Sequence, residues 1–499
     1  MRKIYKIGTR GSLLAVTQCT LIAEEMSKRT GAKFELVKIK TQGDSQTDKP
    51  LWQLDGKDFF TKELDQALLA NEVDLVVHSY KDLGSDRPAG IKLAAITKRK
   101  YANDVLLVKK DTIPEIEKLS LFNVGTSSPR RTVNSESSLR DLLPGTNDLK
   151  VQCSMLRGNI NTRIQKLIDG EYDGIILALA GLQRLAQKKD SYEVLKDLLS
   201  KLNFMVMPQK IFPSSASQGA LAIEYNSRNN DQDLYSVLQS VHCDKTEREV
   251  SNERETFKSY GGGCHLAVGI HTQLHKGLLL EIQKGLYEGK RINKIDLNSI
   301  DYSKLKGKKV FLPLGEKDKL ILKKPLHTNL EDNKQYFVTS KYCLSSIKQL
   351  THSIFWASGS RTMKKMAKQG HWLNGSADSL GHCQIQKISE SAALNIMIED
   401  REMIVLSHKD ANSQVGTIIP CYERVLTNFK QDLSKFEVFY WSSFFQYSSY
   451  IVQYPEIKNK IHTCGLGKTF DQFKENNIDV TPFASMAHLK NICNTKGNL

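Results

Sequence analysis

The 499-residue chain reads as an α/β protein. Three observations predict that class. Short apolar strand-like runs alternate with amphipathic helical stretches over the first 200 residues, and the alternation returns after residue 336. Glycine, serine or threonine repeatedly stands where a strand-like run gives way to a helix. In chain order, Lys3–Gly8 is strand-like, and Ser12–Lys28 places Leu13, Leu14, Val16, Leu21 and Ile22 at helical spacing. Phe34–Ile39 alternates as a strand, Lys62–Ala70 is helical, and Val73–His78 and Ile91–Ile96 are candidate strands. Asp104–Val108, Asn123–Gly125 and Gly174–Ala178 repeat the strand pattern, with helices over Gly158–Asp169 and from Gly181–Ala186. A proline-bearing segment, Met205–Ala220, leads to a helix-rich run, Asp244–Lys258, and then to strand-like His265–Thr272 and Gly277–Gln283, an α+β unit. Residues 285–335 are lysine-rich and read as a strand-containing linker, and residues 336–499 are α/β again.

The bulk properties narrow the function classes. With 40% hydrophobic and 25% charged residues the chain is globular, and no run of about 18 apolar residues predicts a membrane span. The first residues are charged without an apolar core, so no secretory leader is expected. Nine scattered cysteines form no CxxC pair, which argues against zinc clips and disulfide frameworks and fits a reducing cytoplasm; no metal site is expected. The net charge of +16 suits nucleic acid, a membrane surface or a polyanionic small molecule. The arginines favour the last, because they stand singly or in pairs beside Gly, Ser and Thr at element junctions, without interleaved aromatics.

Those junctions carry the candidate chemistry. Arg10 and Ser12 follow the first strand; Lys57 and Lys62 flank a helix start; Ser79, Lys81 and Asp82 close an apolar strand. Thr126, Ser127 and Ser128 form a small-residue loop before Arg130 and Arg131, Arg157 and Arg163 bracket another helix start, and Arg184 opens a further helix. Guanidinium recognises carboxylates through two parallel bonds, so this set suits a ligand with many carboxylates. Each arginine taken singly also suits a surface ion pair. Asp82 is the one carboxylate among these cations; it could stabilise a cationic intermediate or shuttle a proton, and equally cap a turn. Cys264 follows three glycines, 261–263, which clear space beside the thiol for a bulky covalent group or simply make a turn.

The C-terminal part holds a faint repeat. Phe337–Ser340 precedes Phe355–Thr362, and Phe439–Ser443 precedes His462–Thr469; each half gives a strand ending in hydroxyls and a helix start with Gly shortly before Thr, Gly359-Ser360-Arg361-Thr362 and Gly467-Lys468-Thr469. Such starts bind anions through free N–H groups, or are merely capped by the hydroxyl.

The ordered segments IGTRGS, GKDFFTKEL, VHSYKDL, VGTSSPRR, LRGNINTR, GEYDGIILALAGLQRL, SASQGAL and GGGCHLAVG, within residues 4–270, resemble the porphobilinogen deaminase (hydroxymethylbilane synthase) family. The resemblance implies two periplasmic-binding-protein-like α/β lobes, residues 1–99 with 205–221 and 102–200, and a small α+β domain, 222–300, that carries the cofactor cysteine. It implies head-to-tail joining of four porphobilinogen molecules with loss of ammonia, in tetrapyrrole (haem) biosynthesis. A dipyrromethane cofactor would be held by a thioether to Cys264, with Asp82 catalytic. Arg10, Lys81, Thr126, Ser127, Ser128, Arg130, Arg131, Arg157, Arg163 and Arg184 would bind cofactor and substrate carboxylates, with Ser12, Gln18, Lys57, Lys62 and Ser79 lining the cleft. A cytoplasmic monomer that binds neither nucleic acid nor membrane is the expected form. Departures from the family pattern are Asp58-Phe59, Pro129 and the stretch Lys100–Asp104, and SASQGA is one residue longer than usual.

After a linker, 301–335, residues 336–499 resemble uroporphyrinogen-III synthase in the order of their hydroxyl-ended strands, with Pro-Cys-Tyr-Glu-Arg (420–424) between the halves. That resemblance implies cyclisation of the linear product in a C-terminal α/β synthase-like region, with Thr339, Ser340, Thr362, Ser442 and Thr469 as candidate carboxylate binders. Its opening strand is absent from the pattern unless Val310–Leu314 supplies it. The alternatives are a non-catalytic docking domain and, for the whole chain, a polycarboxylate-binding module.

Overall fold

The computed structural model describes residues 4–41, 61–84, 86–263, 265–298, 300–347 and 350–493. Lys57 and Cys264 lie outside the described residues. Among the described residues no helix is long and apolar enough to cross a membrane.

Two five-stranded sheets share one plan. The strands are β1 (Ile4–Arg10), β2 (Lys33–Ile39), β3 (Leu75–Ser79), β4 (Ile91–Ile96), β5 (Asp104–Lys109), β6 (Leu121–Gly125), β7 (Lys150–Ser154), β8 (Gly174–Ala178), β9 (Leu202–Val206) and β10 (Leu221–Asn226). The first sheet runs β2-β1-β3-β10-β4 and the second β7-β6-β8-β5-β9. In each, three parallel strands are followed by one antiparallel strand that pairs with the last. In the first sheet the inserted strand belongs to a second passage of the chain, because β10 returns after the second sheet is built; in the second sheet the inserted strand is the first one laid down, β5. The two connections run side by side, with Lys100 N donating to Gly219 O (3.0 Å) and Met207 N to Asp104 O (2.9 Å). The parallel strands all end at the edge where Arg10, Ser79, Gly125 and Ala178 stand.

A third unit consists of the helix Asp244–Ser259 and the antiparallel strands β11 (Ala267–His275), β12 (Leu278–Tyr287) and β13 (Lys290–Asn298). Strand β13 falls in the lysine-rich stretch. Its charged side chains face solvent and Leu297 alone is buried, so hydrophobic alternation does not reveal it.

Ten further strands complete the chain: β14 (Val310–Phe311), β15 (Ile321–Pro325), β16 (Gln335–Val338), β17 (Ile354–Ala357), β18 (Gly375–Ser376), β19 (Met403–His408), β20 (Thr417–Leu426), β21 (Val438–Trp441), β22 (Ile461–Gly465) and β23 (Thr481–Phe483). They form a six-stranded sheet, β15-β20-β19-β16-β17-β18, and a four-stranded sheet, β14-β21-β22-β23. Segment 301–335 therefore supplies strands to both. Val310–Phe311 pairs parallel with β21, the position at which an opening strand was sought.

The six-stranded sheet abuts the second lobe edge to edge. Asn374 O, just before β18, accepts from Val206 N of β9 (2.8 Å), and Trp372 Nε1 and Asn374 Nδ2 both donate to Phe204 O (3.1 and 2.9 Å). Because side chains alternate along a strand, each face of the joined sheets gathers one core. Leu106, Phe122 and Met205 share a core with Tyr336, Phe355 and Leu406. Val105, Ile175 and Phe204 share the other with Phe337, Trp356 and Val405. The β11–β12 turn makes a second junction: Lys276 Nζ reaches Gly467 O (2.9 Å) and the Asp471 carboxylate (2.6 Å).

Candidate functional site

Strand ends of the two lobes meet across a cleft. Ser12 caps the helix Leu13–Thr30, its hydroxyl accepting from Ala15 N (3.3 Å), next to a cavity of about 320 Å³ lined by Gly11, Ser12, Lys38, Ile39 and Lys40. From that helix the buried Gln18 amide bonds Ser79 Oγ (3.1 Å) at the end of β3. The chain then makes a short 3-10 turn, Tyr80–Asp82, which leaves both Lys81 and Asp82 open to the cleft. Lys62 begins the helix Lys62–Leu69 and is exposed.

Across the cleft, Ser128 caps the helix Pro129–Ser138, with Pro129 at the first helical position, where its fixed φ and missing N–H cost nothing. Ser127 Oγ donates to Leu156 O (2.5 Å), and Thr126 Oγ1 accepts from Ser128 N (3.2 Å), which ties this loop to the next. Asn159 caps the helix Ile160–Ile168, and Arg163 Nε donates to Gly158 O (2.7 Å). Arg184 is buried and donates to Gly219 O (2.8 Å).

The arginine pair differs from the expectation of two free carboxylate receptors. Asp104, fully buried at the start of β5, takes Arg130 Nη2 on one oxygen and Arg131 Nη2 on the other, both at 2.7 Å. Arg130 is otherwise held by Pro213 O (2.8 Å) and Ser215 Oγ (3.2 Å), so its guanidinium belongs to the scaffold. Arg131 also donates to Ile176 O (3.0 Å), but its buried Nε has no protein partner. The two guanidiniums hold the Asp104 carboxyl well below the usual carboxylate range, against the effect of burial. Gln218 joins this group to the first lobe: its Nε2 donates to Asp104 (2.9 Å) and its Oε1 accepts from Lys81 Nζ (3.5 Å). Sequence reasoning missed both Asp104 and Gln218. The available signal was a lone carboxylate opening a strand in a chain with paired arginines elsewhere.

The electrostatics favour an anionic ligand. Although the Lys81 side chain is solvent-accessible, the protein crowded around its ammonium desolvates it and lowers its pKa, Asp82 acts to raise it, and Arg131 lowers it again. Burial depresses Arg163 to about 10, with Arg131 and Arg157 pushing the same way. Crowded cations in a partly dry cleft gain from each carboxylate that enters.

Beyond the cleft, the helix Asp244–Ser259 ends at Tyr260 and runs into Gly261, Gly262 and Gly263, with φ of 82°, 64° and 96°. Three successive left-handed residues are open to glycine alone. A Cβ at Gly261 would meet nothing within 4 Å, whereas one at Gly263 would fall 2.7 Å from the His265 ring, so the turn is open at its start and close-packed at its end.

These features coincide with a family signature. Residues 5–235 match the model of the porphobilinogen deaminase dipyrromethane cofactor-binding domain. Over 303 residues the chain is 37% identical to the porphobilinogen deaminase of Lachnospira eligens, covering 60% of this chain and 94% of that protein. The chain belongs to the porphobilinogen deaminase family. The porphobilinogen deaminases of Maridesulfovibrio salexigens (38% identity, 55% of this chain, 81% of that protein) and Syntrophus aciditrophicus (38%, 56% and 83%) align comparably. Among solved structures, a probable amino-acid transporter extracellular-binding protein of Bacillus subtilis aligns with 52% of this chain and 97% of its own, at 16% identity and a TM-score of 0.28. As a porphobilinogen deaminase the protein is a transferase of porphyrin biosynthesis, and its cofactor is dipyrromethane. The cations at the strand ends fit that group, whose carboxylates need partners.

The C-terminal hydroxyls fall on two sheets. Thr339 Oγ1 bonds Leu406 O (2.8 Å) and Ser407 Oγ (3.0 Å), Ser340 caps the turn Lys341–Ser346, and Thr362 is buried in the first turn of the helix Ser360–Lys368. Ser442 Oγ bonds Gln446 Oε1 (3.0 Å), and Thr469 Oγ1 donates to Ser442 O (3.2 Å). The helix starts at Gly359 and Gly467 both approach Ser379. A Cβ at Gly359 would fall 2.3 Å from Ser379 Oγ, and one at Gly467 would fall 3.4 Å from Ser379 O. A cavity of about 480 Å³ beside this point is lined by Lys276, His382, Asn412, Lys468 and Asp471, among others.

Proposed function

We propose that this chain condenses four porphobilinogen molecules into hydroxymethylbilane at the inter-lobe cleft, and that its C-terminal region cyclises the product to uroporphyrinogen III. The observation that carries the first half is the connected set of Asp82, Lys81, Gln218, Asp104 and Arg131, with Arg163 and Arg157 beside Arg131, at the facing strand ends of a family member.

The cofactor, tethered at Cys264 by a thioether, would supply a pyrrole α-carbon as the growing end. Arg131, with a buried Nε lacking a protein partner, would take a carboxylate directly, together with Arg10, Lys81, Arg157 and Arg163. Arg130 would act through Asp104 by holding Arg131 in place. Arg184, Thr126, Ser127 and Ser128 would shape the strand-end loops, with Ser12, Gln18, Lys62 and Ser79 along the opposite wall and Lys57 in its flanking loop. As ammonia leaves porphobilinogen the ring becomes electron-poor. Asp82 would accept the pyrrole N–H and stabilise that positive charge, an electrostatic effect magnified where water is excluded. Its carboxylate would also receive the α-proton of the attacking pyrrole, whose loss after the new carbon–carbon bond forms restores that ring's aromaticity.

For the C-terminal region, support comes from Val310–Phe311 completing a four-stranded sheet and from hydroxyl-ended strands on both sheets. Thr339, Ser340, Thr362, Ser442 and Thr469 would line the carboxylate-binding face. The eight described cysteines are all free, which suits a reducing cytoplasm. Incubation with porphobilinogen alone is expected to release one ammonia per molecule consumed and to yield predominantly isomer III. Isomer I alone, at normal ammonia release, would refute the cyclase half and leave the deaminase half standing.

A further inference from the structure

The helix Asp244–Ser259, which leads into the glycine turn, grips the first lobe through two adjacent residues. Glu253, fully buried, accepts from Arg99 Nη1 and Nη2 (2.8 and 3.0 Å), from Ser217 N (2.6 Å) and from Thr272 N (2.7 Å). Arg254 points to the turn that bears Asp82. Its Nη1 donates to Tyr80 O (3.3 Å), its Nη2 donates to Leu83 O (3.1 Å) and Gly84 O (3.0 Å), and its guanidinium carbon lies 4.5 Å from the Tyr80 ring centroid. The three carbonyls bracket Lys81 and Asp82. One rigid, planar fork therefore fixes the backbone on both sides of the carboxylate, a task the single ammonium of lysine cannot perform.

We propose that Arg254 is a positioning residue for the deaminase reaction: it fixes the backbone on both sides of Lys81 and Asp82 and so sets where the Asp82 carboxylate stands. The inference rests on Asp82 as the charge-stabilising group. Displacing such a group by about 1 Å costs on the order of 100-fold in rate.

The test uses the full-length holoenzyme. Arg254→Lys and Arg254→Ala are expected to lower kcat about 10- to 100-fold with KM for porphobilinogen little changed, while the intact mass still shows the bound cofactor. Guanidinium ion at millimolar concentration is expected to restore part of the rate of Arg254→Ala and none of that of Arg254→Lys, whose ammonium fills the site. Unchanged kcat in Arg254→Ala would overturn the proposal, as would a kcat loss that follows a fall in Tm and shows no rescue. Asp82→Asn assayed in parallel separates the two ideas. If it is fully active, the reading of Asp82 fails; if it is inactive while Arg254→Ala is fully active, the positioning role alone fails.

Discussion

Asp82→Asn is expected to cut tetrapyrrole formation by about 100- to 1,000-fold, the cost typical of removing one group that stabilises transition-state charge. Asparagine keeps the shape and one acceptor oxygen and loses the negative charge. The side chain is open to the cleft, at a turn held by Arg254 and by Tyr80 N bonded to Ala220 O (3.1 Å), so Tm should stay within about a degree of the parent. Porphobilinogen KM should move little, because the proposed carboxylate receptors are the arginines. The check is steady-state kinetics with a parallel melt. A variant with parental kcat would remove Asp82 from the mechanism.

Trp356→Ala is expected to destabilise the protein by about 3–5 kcal/mol, the range for emptying a large aromatic site in a core. The indole is fully buried, its Nε1 donates to Gln335 Oε1 (3.1 Å), and its ring centroid lies 5.8 Å from that of Phe204 on the second deaminase lobe. The C-terminal sheet and that lobe share cores on both faces of their join. Damage at Trp356 should therefore reach the deaminase half. In urea the variant should show one shifted transition, with porphobilinogen consumption lost across the same range. Two transitions, with the deaminase one unmoved, would show that the C-terminal region folds on its own.

Much of this architecture is legible in the sequence, and the exceptions have physical causes. The buried strand Leu75–Ser79 follows from its apolar run, and the helix Asp244–Ser259, whose buried face holds Thr246, Glu249, Val250 and Glu253, follows from a stretch rich in Glu, Lys and Arg and free of Gly and Pro. Strand β9 is short and merges with the proline-bearing segment, and β13 is dressed in lysines, so neither shows a clean period. Within the site, Lys81, Asp82 and the strand-end hydroxyls stand where the motifs put them. What sequence spacing cannot show is which cation faces which partner. Arg130 and Arg131 are adjacent and chemically identical, yet Asp104, 26 residues upstream of Arg130, engages Arg130 as scaffold and leaves the Nε of Arg131 without a protein partner. Gln218 and Arg254 were invisible for the same reason: their roles arise from contacts with Lys81 and with the Tyr80–Gly84 backbone, more than 130 residues away.

The central claim is a cofactor covalently bound at Cys264 in a cleft built to receive its carboxylates. Intact-mass spectrometry of the purified active protein, followed by peptide mapping, tests it most directly. The account predicts a chain heavier by one dipyrromethane, with the added mass on the peptide containing Cys264 and absent from an inactive Cys264→Ser variant. An active protein with the unmodified chain mass, or an adduct on any other cysteine, would contradict it.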